Sequence, residues 1–190
     1  MRPVRRTLPV LAAVLAAAGC GGGDSKTPAE HADRPAKPPH GWKTIRNRPA
    51  GFTLSVPRNW TVRLKHAATL IRSKDKLLVI TVAADRGAQG RNLGATAYAR
   101  QTLDALPEFE GSVLPAATRV HRSPYPNARV DGAGTLKTSK RPERIAVVAY
   151  RRPKKVTYAL VAFFNPKLPG SYYEPTLRRV LRSLRGQPPS

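Results

Sequence analysis

The chain has 190 residues, 34 lysines and arginines against 11 aspartates and glutamates, a formal charge of +23 and a single cysteine. One cysteine excludes an intrachain disulfide, so the fold rests on its own apolar core, which a domain of about 150 residues can supply. The charge excess attracts polyanions in general (nucleic acid, anionic lipid, phosphate-bearing wall polymer) or else serves solubility in an arginine- and alanine-rich composition.

The first 20 residues, MRPVRRTLPVLAAVLAAAGC, set three arginines before an apolar run from Leu8 to Ala18, and Ala18-Gly19 then leads into Cys20. A basic start, a short apolar run and a small-residue cleavage site make a secretory signal over residues 1–19. The run has 11 residues, too few to span a bilayer, which takes about 20. Ala18-Gly19-Cys20 resembles the lipobox of bacterial lipoprotein signals, with Ala17 where that motif usually has leucine. The resemblance implies that Cys20 is lipidated and becomes the first mature residue. Export by the general or the twin-arginine route stays open, because Arg5-Arg6 is present without the rest of the latter motif. Loss of the signal leaves 31 basic and 11 acidic residues, a charge of +20.

Residues 20–40 read as a lipidated cysteine followed by a disordered tether. Pro28, Pro35, Pro38 and Pro39 recur there without any large apolar residue, and such a composition cannot bury enough to offset its ordering entropy. His31 and His40 sit in this spacer as solvated side chains.

Folded patterning begins at Trp42 and extends to residue 186, with 187–190 as a disordered tail. Alternation of apolar and polar residues predicts strands over Gly51–Val56 and Thr61–Lys65, separated by a turn at Pro57–Trp60. Ala68–Ser73 and Leu77–Ala84 read as a hairpin about Ser73–Lys76. A glycine-rich loop, Gly87–Gly94, leads to a helix over Ala95–Ala105 whose apolar face carries Ala95, Tyr98, Ala99, Thr102, Leu103 and Leu106. Strands follow at Ser112–Val120, Ala128–Thr138, Ile145–Arg151 and Val156–Phe164, the last two forming the most apolar hairpin of the chain. A closing helix over Glu174–Arg185 sets Tyr173, Leu177, Val180, Leu181 and Leu184 against Arg178, Arg179, Arg182 and Arg185 on the opposite face. This order predicts an α+β domain, an antiparallel sheet packed by helices.

Two segments carry a family resemblance. Gly51-Phe52-x-Leu54-x-Val56-Pro57-x-x-Trp60 resembles the opening motif of the PsbP-like superfamily, which includes a photosystem II extrinsic protein, a Ran-binding nuclear import factor and bacterial lipoproteins. Tyr173-x-x-x-Leu177-x-x-x-Leu181-x-Ser183-Leu184 is similar to the terminal helix of those lipoproteins. The likeness spans residues 42–186 and implies a fold. It transfers no active site, since the superfamily shares no catalytic residues.

The chemistry-bearing motifs are sparse. Ser73-x-x-Lys76 matches the nucleophile motif of penicillin-recognising enzymes, but it falls in a predicted hairpin turn and lacks the Ser-Asp-Asn and Lys-Thr-Gly partners. There is no Gly-x-Ser-x-Gly elbow and no His-Glu-x-x-His. His66 and His121 read as surface residues, and Asp104, Glu108 and Glu110 as salt-bridging carboxylates. Trp60, after a turn proline, reads as a core plug. Arg86 and Arg91 flank the glycine-rich loop, and Arg151, Arg152, Lys154 and Lys155 crowd the last hairpin turn, which makes these six the candidate anion-binding residues. No metal, cofactor or nucleic acid is expected. The expectation is a non-catalytic lipoprotein on the extracytoplasmic face of a bacterial membrane, held by its lipid and binding an envelope protein or another envelope component. The alternatives are an electrostatic binder of anionic lipid or wall polymer, and an enzyme with an unrecognised cleft.

Overall fold

The computed structural model describes residues 38–113, 125–138, 140–152 and 155–186. The signal, Cys20, His31, His121, Lys154 and residues 187–190 lie outside the described residues, as do most of the tether and most of the strand expected at Ser112–Val120.

The first third of the domain is strand. β1 (Trp42–Asn47) and β2 (Phe52–Pro57) make one hairpin, β3 (Thr61–Leu64) and β4 (Ala68–Arg72) a second, and β5 (Leu78–Asp85) follows. Two helices come next, α1 (Ala88–Asn92) and α2 (Ala95–Asp104). The meander β6 (Phe109–Val113), β7 (Asn127–Leu136), β8 (Pro142–Arg152) and β9 (Val156–Phe164) then leads to α3 (Gly170–Ser183) and the short β10 (Arg185–Gly186). Seven strands pair antiparallel in the order β3-β4-β5-β9-β8-β7-β6, and a smaller sheet runs β1-β2-β10. The expected α+β class, an antiparallel sheet packed by helices, is the observed one.

The hairpin β8–β9 is central because β5 and β7 flank it and both of its faces are covered. Successive strand side chains point to opposite faces, so Ala146, Val148 and Tyr150 enter one core while Ile145, Val147 and Ala149 enter the other. The first core is closed by the small sheet and α3, through Phe52, Leu54, Val56, Leu177, Val180 and Leu181. The second is closed by α2, through Tyr98, Ala99 and Leu103. Every apolar residue expected on the α2 and α3 faces is buried or packed against its core, and Trp60 is buried as a plug.

Several local readings differ from the sequence pattern. Trp42–Asn47 is a strand, held by its full register with β2. The glycine-rich loop contains the five-residue α1, seated so closely that a Cβ on Gly90 would lie 2.2 Å from the Asp85 carbonyl. β6 starts three residues earlier than expected, where Phe109 packs edge-on against Phe163 at 6.4 Å. α3 starts four residues earlier and ends at Ser183, so that Arg185 enters β10, and Pro175 lies inside the helix, where its missing N–H forfeits the bond to the Ser171 carbonyl.

One charged cluster lies between the main sheet and α3. Arg129 on β7 donates to Asp131 at 2.8 Å and to Glu174 at 2.6 Å, and Arg178 donates to Glu174 at 3.0 Å. Burial pushes the Glu174 carboxyl up, but hydrogen bonds from Arg129 and Arg178 outweigh it and hold the carboxyl below its ordinary value. A depressed folded pKa stabilises above the ordinary carboxylate range, and that contribution is lost as pH falls through the folded value. The Glu174→Gln variant should therefore unfold more easily than wild type at neutral pH. The gap should narrow as pH drops below about 4, near the ordinary glutamate pKa of about 4.3, which thermal unfolding across pH would show.

Leu181 is 1% exposed and Arg182 beside it is exposed. Leu181→Ala should lower unfolding free energy by about 2–5 kcal/mol, while Arg182→Ala should stay within about 0.5 kcal/mol. Denaturant titration of the two variants separates these costs.

Candidate functional site

Antiparallel pairing sends alternate connections to opposite ends of a sheet, and here one end collects the turns that carry most charge. β4 begins where β5 ends (Ala68 opposite Ala83), and β5 ends where β9 begins (Asp85 opposite Thr157). The β3–β4 turn, the β5–α1 connection and the β8–β9 turn therefore share that end. The β1–β2 turn is fastened to the same place. Tyr158 donates its hydroxyl to the Gly51 carbonyl at 2.7 Å, and Arg86 donates Nη2 to the Ala50 carbonyl at 2.9 Å. Gly51 takes φ +72° in this turn, a conformation that glycine adopts without the penalty of a Cβ.

The side chains gathered there are almost all of one sign. Arg46 and Arg48 come from the first turn, Lys65 and His66 from the second, Arg86 and Arg91 from the α1 connection, and Arg151, Arg152 and Lys155 from the β8–β9 turn. Asp85 is the one carboxylate on these described turns, and it is engaged internally. It accepts from the Gly87 N–H at 2.7 Å and from the Tyr98 hydroxyl at 2.9 Å. Burial first, then the Asp85 charge, raises the Tyr98 pKa, so that hydroxyl stays a donor. At the opposite end stand Asp75, Glu108 and Glu143, interspersed with lysines and arginines.

The candidate anion residues thus converge, but their side chains are not equivalent. Arg151 donates Nη2 to the Arg91 carbonyl at 3.0 Å, which joins the last hairpin turn to the α1 connection. Its Nε is buried without a partner among the described residues. Arg152 lies 5.5 Å over the Tyr125 ring, and Arg86 clamps the β1–β2 turn. Arg91 and Lys155 are exposed. The short α1 is held by Thr157, which donates to the Gly90 carbonyl at 2.6 Å, so the glycines serve close packing here.

The sequence motifs singled no residue out of the first two turns, yet the structure builds a cleft from them. Arg46, Asn47, Arg48 and Pro49 form one wall and Leu64, Lys65 and His66 the other, around an open volume of about 480 Å³. Leu64 is 56% exposed at its lip. Buried Asn47 braces the two walls. Its Nδ2 lies 3.0 Å from the Lys65 carbonyl, 3.1 Å from the Ala68 carbonyl and 3.0 Å from Thr69 Oγ1, and its Oδ1 accepts from the Ala50 N–H. One sequence signal does point here: no aspartate or glutamate occurs between Asp33 and Asp75.

The other motifs resolve into structure. Ser73 donates to Asp75 and accepts from the Leu78 N–H, so it closes the β4–β5 turn, in which Lys76 takes φ +62°. Asp104, Glu108 and Glu110 are exposed, and the salt bridges expected of them do not form among the described residues. Among the described residues no group of three His, Cys, Asp or Glu side chains could hold a metal ion. None of their helices is long and apolar enough to cross a membrane.

No family model matches the chain, and no curated protein matches it in sequence. The fold is PsbP-like. The structure superposes on cyanobacterial PsbP (CyanoP) from Synechocystis sp. PCC 6803 with a TM-score of 0.54 at 8% identity, over 77% of this chain and 92% of that one. It superposes on the Ran-binding protein Mog1p of Saccharomyces cerevisiae with a TM-score of 0.52 at 8% identity, over 76% and 95% of the two chains. A Bacteroides thetaiotaomicron protein matches with a TM-score of 0.53 at 11% identity, over 77% of this chain. The chain spans 48% of that protein, about half its length.

Removing the brace should loosen the cleft. Asn47→Ala leaves buried acceptors without a donor and should cost about 1–3 kcal/mol. Exposed Arg48, changed to alanine, should alter stability by no more than about 0.5 kcal/mol. Equal midpoints for the two variants in urea unfolding would remove Asn47 from this role.

Proposed function

We propose that the protein is a non-catalytic binding module, displayed on the extracytoplasmic face of a bacterial membrane by a lipid on Cys20, and that the basic end of its sheet is the face that meets an envelope component. The observation that carries this reading is where the chain enters the domain. Trp42 pairs with Pro57 at the start of β1, and the β1–β2 turn lies at the far end of that hairpin. The segment from Cys20 therefore joins the domain at the end opposite the basic turns. The main sheet is about 25 Å long, taking β5 as eight residues at about 3.3 Å each. A domain standing on its tether would hold its basic turns several Debye lengths (about 8 Å each at physiological salt) from the bilayer.

The fold adds a coarser support. In Mog1p it belongs to a Ran-binding protein, so the scaffold serves at least once as a module for a macromolecular partner, although fold alone does not transfer function. The second reading is electrostatic attachment to anionic lipid, favoured by the single sign of the basic end. Each basic side chain is worth about 1 kcal/mol at an anionic surface, but only within a Debye length of it. A tether of 20 residues reaches about 25 Å as a coil, so it permits the domain to lie down without enforcing it.

Both parts are open to test. Wild-type protein should fractionate with membranes and incorporate labelled palmitate, and Cys20→Ala should do neither. Unlabelled wild type in the medium would remove the anchor. For orientation, the lipidated protein can carry a fluorophore at Lys155→Cys on the basic end or at Lys167→Cys on the opposite end. In phosphatidylglycerol-containing vesicles with a head-group quencher, position 167 should be quenched more than 155. The reverse order would establish the lipid-binding reading in place of the first.

A further inference from the structure

We infer that the cleft between the β1–β2 and β3–β4 turns seats the phosphodiester unit of a linear, base-free polyanion, a chain of polyol units joined by phosphates. The inference deepens the reading that the basic end is the binding face, and it rests on that reading.

Three features of the cleft support it. First, its charge is uncompensated. Arg46, Arg48, Lys65 and His66 line the opening, and no carboxylate lines it. None of these four side chains has an ion pair among the described residues. Arginine is the side chain suited to planar, bidentate pairing with phosphate oxygens, and lysine supplies a point charge. Second, the cleft has the volume of a small-ligand site. About 480 Å³ falls within the range of small-ligand sites, about 300–1,000 Å³. The cleft is braced from below by Asn47, so it is formed before any ligand arrives. Exposed Leu64 and Pro49 offer apolar contact to the carbon linker between phosphates. Third, further cations share that end of the sheet. Arg86 is bound to the same β1–β2 turn, and Arg91, Arg151 and Lys155 continue across the end of the sheet. Neighbouring strands are about 4.8 Å apart, so β4 to β9 is a step of about 10 Å, and a polymer with regularly repeated charge would follow it.

The same surface argues against nucleic acid. Recognition of single strands needs aromatic platforms on which bases stack. Among the described residues the exposed large apolar side chains are Leu64, Leu77 and Tyr172. Tyr172 stands at the opposite end, where it donates to Asp75. Tyr125, near the basic end, is half-buried, with Arg152 stacked over its ring.

The test uses the full-length chain carrying Cys20→Ala, purified without lipid. A short synthetic glycerol-phosphate oligomer is titrated against it at several salt concentrations. The paired reversal Arg46→Glu/Lys65→Glu should weaken binding at least about tenfold and lower the slope of log K against log salt by about one per cation removed. Arg58→Glu/Lys167→Glu at the opposite end of the sheet makes the same change of net charge and should shift the affinity by no more than about twofold if contact with the cleft decides binding. All four positions are exposed, and unchanged thermal midpoints confirm that the variants fold. Equal weakening by the two pairs would reduce the effect to net charge and overturn the cleft. Polyglutamate of equal charge binding as tightly would overturn the phosphate assignment. Tighter binding of oligothymidylate would assign the surface to nucleic acid. Phosphatidylglycerol vesicles carry the same glycerol-phosphate group on a surface, and if they bound as tightly they would assign the cleft to lipid. Absence of oligomer binding, with the anchoring and quenching results intact, would overturn this inference alone and leave the envelope module standing.

Discussion

The β8–β9 hairpin has apolar layers on both of its faces, and this double burial organises the molecule. From Ile145 to Tyr150 every residue is buried, with alternate side chains feeding two separate cores. A strand covered on both sides has no face on which to keep a charge, because an unpaired buried charge is far costlier than any single packing gain. Its charged side chains are confined to the ends, Glu143 and Arg144 at one and Arg151, Arg152 and Lys155 at the other. The partner layers are fixed by the same demand. α2 covers one face, while α3 and the small sheet cover the other, each presenting an apolar stripe of its own.

Once that hairpin is set, the rest of the basic end follows from connectivity. Antiparallel pairing with β5 carries Asp85 and Arg86 to the hairpin turn, and pairing with β4 carries the Lys65–Ala68 turn beside them. The small sheet is aligned over the core by Tyr158, Arg86 and Asn47, whose hydrogen bonds end on the β1–β2 turn or begin there. Buried polar groups of this kind are costly to leave unpaired, so they fix the position of that turn as well as adding stability. The cleft is a product of this docking. Neither hairpin contains it.

The charge distribution acquires a direction in the same way. Carboxylates that could have neutralised the basic turns are placed elsewhere: Glu174 and Asp131 hold Arg129 beneath α3, Asp75 closes the β4–β5 turn, and Asp85 is occupied by Gly87 and Tyr98. What remains at that end is a one-sign surface, and such surfaces raise the local concentration of oppositely charged partners.

Much of the fold was legible in the sequence. Period-two alternation marked β2 and β3, turn residues bounding apolar runs marked β4, β5 and β7 to β9, and the helical faces of α2 and α3 were read residue by residue, because burial acts on residues close in the chain. The candidate residues Arg86, Arg91, Arg151, Arg152 and Lys155 were legible as two separate clusters. That they stand at one end was decided by strand order, which depends on long-range pairing such as Asp85 with Thr157. α1 and β10 escaped the pattern because five and two residues are too few to display a period. The cleft escaped it for a deeper reason. Arg46 and Arg48 are about 20 positions from Lys65 and His66, and nothing local distinguishes them from any solvated cation. The acid-free stretch from residue 34 to 74 was present in the sequence as a bias in composition. Charge, apolar period and turn chemistry are properties of neighbours along the chain, so the sequence by itself determined them. Convergence of side chains is a property of packing, so only the docking of the small sheet onto the main one, braced by Asn47, turned that bias into a site.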